Sequence, residues 1–222
     1  MTSYRVFRRR AGRAGRSATL TVSVSFRTEP ALYTIECSGD AAVLRLVSDD
    51  DTNRLTRARV EALTAAIEEL AHWALSRLVI TGNAHFFSAG ADLNEIAALT
   101  GPEALRFARM GQRLMSSVAS FPSPTVAAIH GYCMGGGLDL ALACDRRIAG
   151  PHALFGHRGA ALGLITGWGG TQRLPRLIGK ARALQMFLAA EKVHAKHALQ
   201  IGLVDALAED PMQAALGHVV NS

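Results

Sequence analysis

From Leu55 onward, apolar residues recur at helical spacing, at Val60, Leu63, Ile67, Leu70 and Ala74, with polar residues between them. That pattern lines one face of a helix and predicts an amphipathic helix over residues 55–76. Ahead of it, "LYTIECSGDAAVLRLVSDDDTN" (32–53) holds two β-rich runs around Ser38-Gly39-Asp40, which predicts a hairpin. Further on, "RLVITG" and "SPTVAAIHG" read as short buried strands, each delivered to a glycine. "ADLNEIAALT" after Gly90 and residues 102–119 read as helices, and "LDLALAC", apolar on nearly every side, as a short central one. "RRIAG" and "ALFG" are strand-like, and "GLITGWGGT" is a glycine-rich loop. "KARALQMFLAAEKV" and "HAKHALQIG" are helical, the second closed by Gly202 at its C-terminal cap, and "LVDAL" is a last short strand.

Strands alternating with helices imply an α/β fold with largely parallel strands. The recurring unit is strand, strand, helix. No GxGxxG follows the first strand, and "GNAHFFSAG" lacks the Lys-Ser/Thr that closes a phosphate-binding loop. The nucleotide-binding α/β folds are therefore poor matches.

Charge changes the picture at one place. Residues 1–28 hold seven arginines and no acid, against a net charge of +6 for all 222 residues, so the rest of the chain sums to −1. The basicity belongs to a tail, expected to be a disordered extension, and the near-neutral body argues against a nucleic-acid partner. No apolar run reaches the roughly 18 residues that cross a bilayer. The three cysteines (Cys37, Cys133, Cys144) form no CxxC pair and suit a reduced, cytoplasmic protein without a metal site.

The candidate chemistry sits at two strand–glycine–helix junctions, Gly90-Ala91 and Gly135-Gly136-Gly137. The first N–H groups of a helix lack intrahelical acceptors and carry the positive end of its dipole. Two such ends brought together suit a developing oxyanion or enolate. Each glycine run taken alone also fits a tight turn with close packing.

Three blocks, "LVITGNAHFFSAGADLNEI", "PTVAAIHGYCMGGGLDLALACD" and the stretch from "GLITGWGGTQRLPRLIG" to "GLVDAL", resemble the enoyl-CoA hydratase/isomerase (crotonase) superfamily. The likeness runs from about Leu32 to Leu207. It implies a crotonase-like spiral of ββα units over residues 29–222, assembly as trimers or dimers of trimers, and an acyl-CoA thioester as substrate. No metal or redox cofactor is implied, because coenzyme A is part of the substrate. By position, Ala91 and Gly136 match the two N–H donors to the thioester oxygen. Ala89, Ala91, Asp92, Leu93, Asn94 and Gly136 match substrate-contacting positions.

The same resemblance shows departures. Family hydratases carry two glutamates, and those positions are Asp139 and Gly159 here. Asp139 is then the candidate acid/base, with His157 and Gly159 as accessory positions, and a glutamate placed at 159 is expected to add activity. His157 and Arg158 either supply a proton or anion contact or form a surface bend. A glycine at the second position followed by a Gly-Trp loop is similar to dihydroxynaphthoyl-CoA synthases, whose loop acid is Thr166 here. "SDDDTNRL" stands where the family often has a basic segment meeting CoA phosphates. The residues after Leu207 suggest a shortened C-terminal helical region. Hydration of a 2-enoyl-CoA is the leading expectation. The alternatives are a single-base isomerase, synthase-like carbon–carbon chemistry, or a non-catalytic acyl-CoA-binding relic.

Overall fold

The protein is described by a computed structural model over residues 6–8, 21–24 and 31–217. Of residues 1–28, only the strands β1 (Val6–Arg8) and β2 (Thr21–Val24) fall within that range, and β2 pairs antiparallel with the strand starting at Tyr33. The remainder of the expected basic extension lies outside the described residues.

The predicted hairpin is β3 (Tyr33–Ser38) and β4 (Ala41–Leu46), turning at Gly39-Asp40. Then come α1 (Arg57–Leu70), β5 (Arg77–Thr81), β6 (Phe86–Ser88), α2 (Leu93–Ala97) and α3 (Gly101–Ala119). The next unit is β7 (Thr125–Ile129), β8 (Tyr132–Met134) and α4 (Gly136–Ala143). A third is β9 (Arg146–Ala149), β10 (Leu154–Gly156), a 3-10 turn over Gly159–Leu162, α5 (Gly170–Ile178) and α6 (Lys180–Ala189). The described chain ends with β11 (Val193–His194), α7 (Ala195–Gln200), β12 (Ala206–Leu207) and α8 (Pro211–Leu216).

Two sheets result. The larger runs β1-β2-β3-β4-β5-β7-β9-β12, antiparallel up to β4 and parallel from there on. The smaller runs β11-β10-β8-β6, with β10, β8 and β6 parallel. Each repeat gives one strand to each sheet and then a helix, which is the expected strand, strand, helix unit. The main core lies between the sheets and α1, α3 and α4, with Leu44, Leu63, Ile80, Phe87, Leu114 and Leu140 almost fully buried. The other face of the parallel strands is covered by α8, whose Ala215 and Met212 pack on Val79, Val126 and Ile148.

Five elements depart from the sequence reading. The first predicted helix starts at its N-cap Thr56, whose side chain accepts from Arg59 N–H, and stops at Leu70. Ala74 is exposed, because Ser76 N–H is drawn to the Asp40 carbonyl at 2.9 Å and the chain must turn toward β5. Near the C-terminal side, α6 ends at Ala189, where Ala190 takes a left-handed φ of 52°. The helix α5 has no clear pattern in the sequence, because Pro175 inside it masks the spacing of its buried Gly170, Leu174 and Ile178. Finally, β6 and β8 are three residues each, too short to show an alternation.

The return of the chain to the sheet edge rests on a buried cation. Arg147 on β9 is 4% exposed, and its guanidinium donates to the carbonyls of Leu203 and Cys144 (2.9 Å each) and to Asp205 Oδ2 (2.8 Å). Asp205 also accepts Arg147 N–H at 2.8 Å, which fixes the register of β12 on β9. Removing the guanidinium strands these acceptors. Arg147→Leu is expected to lose about 2–4 kcal/mol in urea unfolding. A loss within about 1 kcal/mol, the value of a solvated surface pair, would show that water replaces the guanidinium.

Candidate active site

The two glycine junctions meet. β6 ends at Ser88, and a Cβ added to Gly137 would stand 2.6 Å from Ser88 Cβ, so the start of α4 packs directly on the end of β6. The buried Asn53 holds that end in place. Its Nδ2 donates to the Phe86 carbonyl at 2.9 Å, while its own carbonyl accepts Ser88 Oγ–H at 2.7 Å. Gly90 follows with φ 95° and its carbonyl takes Leu55 N–H at 2.8 Å. The amides of Ala91 and Gly136 donate to no other group among the described residues. They stand close together: a Cβ on Gly136 would lie 3.4 Å from Ala91 N. The same Cβ would meet the Trp168 ring at 2.6 Å, so only glycine fits there.

Both amides face a cavity of about 610 Å³. Its walls are mostly apolar, including Leu93, Ile96, Leu99, Phe107, Leu164 and Phe187, and its polar side chains are Asp139, His157, Arg158 and Thr166. Asp139 lies in the first turn of α4 and is fully buried. The chain brings His157 to it through Gly156, whose carbonyl holds Gly135 N–H at 2.9 Å while Gly135 in turn accepts Asp139 N–H at 3.0 Å. His157 Nε2 lies 3.4 Å from Asp139 Oδ1, and neither atom has a hydrogen-bond partner among the described residues. The other oxygen, Oδ2, accepts the Thr166 hydroxyl.

Burial dominates the electrostatics. It raises the Asp139 carboxyl from 3.8 to about 7 against the opposing pull of the Thr166 hydroxyl, the Arg173 charge and the Gly170 backbone amide. It also lowers His157 from 6.5 to about 4, so the imidazole is neutral at pH 7. A carboxyl with its pKa near neutrality can both take up and give a proton there.

Of the positions singled out from the sequence, Ala89, Ala91, Leu93, Gly136, Asp139, His157 and Gly159 line this cavity. Asp92 and Asn94 do not. Asp92 caps α2 by accepting Asn94 N–H (2.9 Å) and Glu95 N–H (3.1 Å), and Asn94 is exposed. Of the two readings for His157 and Arg158, His157 is buried in the site and Arg158 is exposed at its wall. Trp168 is a packing residue, with Nε1–H on the Phe107 carbonyl at 3.2 Å. The expected gain from a glutamate at 159 meets an obstacle: a Cβ there would be 2.7 Å from the Leu164 carbonyl, in a loop closed by Leu164 N–H to the Gly159 carbonyl at 2.8 Å. In "SDDDTNRL" the aspartates are exposed, and Asp50 is engaged by Thr52 and Arg54. Gly170 and Asn53 were not singled out. The paired glycines before α5 were the available signal for the first, and nothing local marks the second.

A family profile described as enoyl-CoA hydratase/isomerase matches residues 37–217. A probable enoyl-CoA hydratase of Bacillus subtilis (strain 168) is 42% identical over 166 residues, which make up 74% of this chain and 64% of the relative. The chain thus spans less than two thirds of that protein's length. Among solved structures, DspI of Pseudomonas aeruginosa matches with TM-score 0.80 at 39% identity, over 83% of this chain and 72% of DspI. An enoyl-CoA hydratase from Bacillus anthracis matches with TM-score 0.79 at 32% identity, over 83% of this chain and 74% of its own.

The buried carboxyl has a measurable consequence for stability. A group whose pKa is raised by folding stabilises the native state below its unfolded pKa, and that contribution is lost as pH rises toward the folded value. For Asp139 the window runs from 3.8 to about 7, and ionisation costs the fold on the order of 4 kcal/mol. Asp139→Asn removes the ionisation. Urea unfolding at pH 4.5 and pH 8 should show the variant gaining on the wild type by a few kcal/mol at the higher pH. A pH-independent difference would mean that the carboxyl titrates as in water.

Proposed function

Because the chain belongs to the enoyl-CoA hydratase/isomerase family and has its crotonase-type α/β fold, we propose that it adds water across the double bond of a 2-enoyl-CoA thioester. The observation that carries this reading is a single buried carboxyl, Asp139, sharing an apolar cavity with two unpartnered backbone N–H groups. In this reading the thioester oxygen accepts from Ala91 N–H and Gly136 N–H, which form an oxyanion hole worth roughly 3 kcal/mol per donor. The ionised Asp139 takes a proton from water as the water oxygen bonds to Cβ. The negative charge moves onto the thioester oxygen as an enolate. Asp139 then returns its proton to Cα, giving the 3-hydroxyacyl-CoA. One carboxyl thus serves as base and then as acid, a sequence that a pKa near 7 favours in both directions.

The apolar walls receive the acyl chain, and Ala89 and Leu93 lie toward the pantetheine arm. The chemistry is proton transfer with carbonyl polarisation, so it calls for neither metal nor redox cofactor, and coenzyme A enters with the substrate. Gly159 supports a second reading. With no second carboxyl at that position, a single base moving one proton from Cα to Cγ would make the protein an isomerase. Product analysis with a 2-enoyl-CoA and a 3-enoyl-CoA separates the two.

Two outcomes test the shared core of both readings. Asp139→Asn should lower turnover by about 10²–10⁴-fold while acyl-CoA binding, measured by calorimetry, stays within a few-fold. Full turnover in that variant would place the proton transfer elsewhere. For the wild type, kcat/KM should rise with pH through an inflection near 7, as the base must be ionised in the free protein. A profile flat from pH 5.5 to 8.5 would exclude Asp139 as the base.

A further inference from the structure

Besides the Gly170 backbone amide, two side chains face Asp139, Thr166 and His157. On one side Thr166 donates its hydroxyl to Oδ2. On the other, His157 Nε2 faces Oδ1 at 3.4 Å, both atoms are buried, and each lacks any other hydrogen-bond partner among the described residues. Two unpaired polar atoms facing each other in an apolar site need one proton between them. We propose that His157 is the positioning residue of this site: its Nε2–H is donated to Asp139 Oδ1, and it thereby sets the direction and the ionisation of the carboxyl. The kinetic part of this inference rests on the acyl-CoA reading above.

The surroundings are shaped for the pair. A Cβ on Gly170, the first residue of α5, would stand 2.2 Å from Oδ1 and 3.0 Å from Nε2, so bare backbone is what lets the two side chains meet. The imidazole packs on the Phe187 ring, with centroids 5.1 Å apart, which restrains the ring plane. The titratable and charged groups near the pair are Arg173 on α5, whose charge favours ionised Asp139, the buried Cys133 thiol of β8, and exposed Arg158. Burial keeps Cys133 protonated and His157 uncharged at neutral pH, so neither adds a charge there.

The tautomer follows from the proton count. A neutral imidazole carries one N–H. Were it on Nδ1 while Asp139 is ionised, two bare acceptors would face each other in a dry site, a costly arrangement. With Nε2–H, the ionised carboxylate receives a side-chain donor on each oxygen, in addition to the Gly170 amide. When Asp139 takes up a proton on Oδ2, the Thr166 hydroxyl rotates to accept it, and Nε2–H still donates to Oδ1. Both states are satisfied without moving the imidazole proton. The hydroxyl is the adaptable partner and His157 the fixed one.

Nitrogen-15 NMR of the full chain with labelled histidines tests this directly. His157 should be the Nε2–H tautomer from pH 6 to 8.5, and its Nε2 shift should follow the Asp139 titration and become flat in Asp139→Asn. An Nδ1–H tautomer at pH 8 would overturn the proposal. In kinetics, His157→Leu removes a donor to the charged form, so the inflection in kcat/KM should move up by about one pH unit and the value at pH 7 fall about fivefold. His157→Gln returns an N–H and should bring the inflection back toward the wild type. An unmoved inflection in His157→Leu, or no recovery in His157→Gln, would also overturn it. Should His157→Leu fail to fold, His157→Gln and the labelled wild type decide. A wild type without turnover of any acyl-CoA would refute the proposed function, while the tautomer would still decide the pair.

Discussion

A carboxylate removed from water is the constraint around which this molecule is organised. Asp139 is fully buried on a helix that is itself almost wholly buried. Desolvation of this kind opposes ionisation strongly unless donors and positive ends are supplied. The fold supplies them from separate parts of the chain. The carboxylate stands in the first turn of α4, the amide end of α5 reaches it through Gly170, and Thr166 sits on the loop that leads into α5. The Thr166 hydroxyl, the Arg173 charge and the Gly170 amide oppose desolvation and leave the group at about 7, a position still costly to stability.

That arrangement is possible because backbone, and not side chain, fills the tightest contacts. Gly137 lies against Ser88, Gly136 against Trp168, and Gly170 against the Asp139–His157 pair. Each contact joins two different repeats of the spiral, so the site exists only when the repeats are stacked. Trp168 ties the third repeat to α3, since its ring also covers Gly111 and its indole N–H bonds the Phe107 carbonyl. Packing and chemistry are therefore coupled. A methyl group added at Gly136 or Gly170 would displace Trp168 or the Asp139–His157 pair, which line the cavity.

Much of this was legible in the sequence where the signal is local. The spacing of Val60, Leu63, Ile67 and Leu70 reports one buried helix face, and the Ser38-Gly39-Asp40 turn reports a hairpin. Asp139 was readable because it follows three glycines at a strand end, a position with a physical meaning of its own. His157 was not readable in that way. Its burial depends on Gly156 binding Gly135, a contact 21 residues away in the chain, and a histidine after a short strand looks the same on a surface bend. Asn53 was hidden for a similar reason. It lies in an acidic, apparently solvated run, yet its side chain is buried and holds the end of β6. Pro175 misled in the opposite sense, since it breaks the expected pattern of a helix that tertiary packing nevertheless forms.

The departure at position 159 gains a physical reading from the same electrostatics. A second carboxylate near Asp139 would add like-charge repulsion to a desolvation that already lifts the first to about 7. The Asp139 carboxyl would then be pushed further above the ordinary carboxylate range. The loop from Gly159 to Leu164 leaves no room for such a group, and the buried polar side chain placed beside Asp139 is His157, which is uncharged at neutral pH. A neutral donor favours the ionised carboxyl where a second acid would suppress it. Asp139, Gly159 and His157 are thus consistent with one another as a set, even though the first two taken singly look like losses from a two-glutamate pattern.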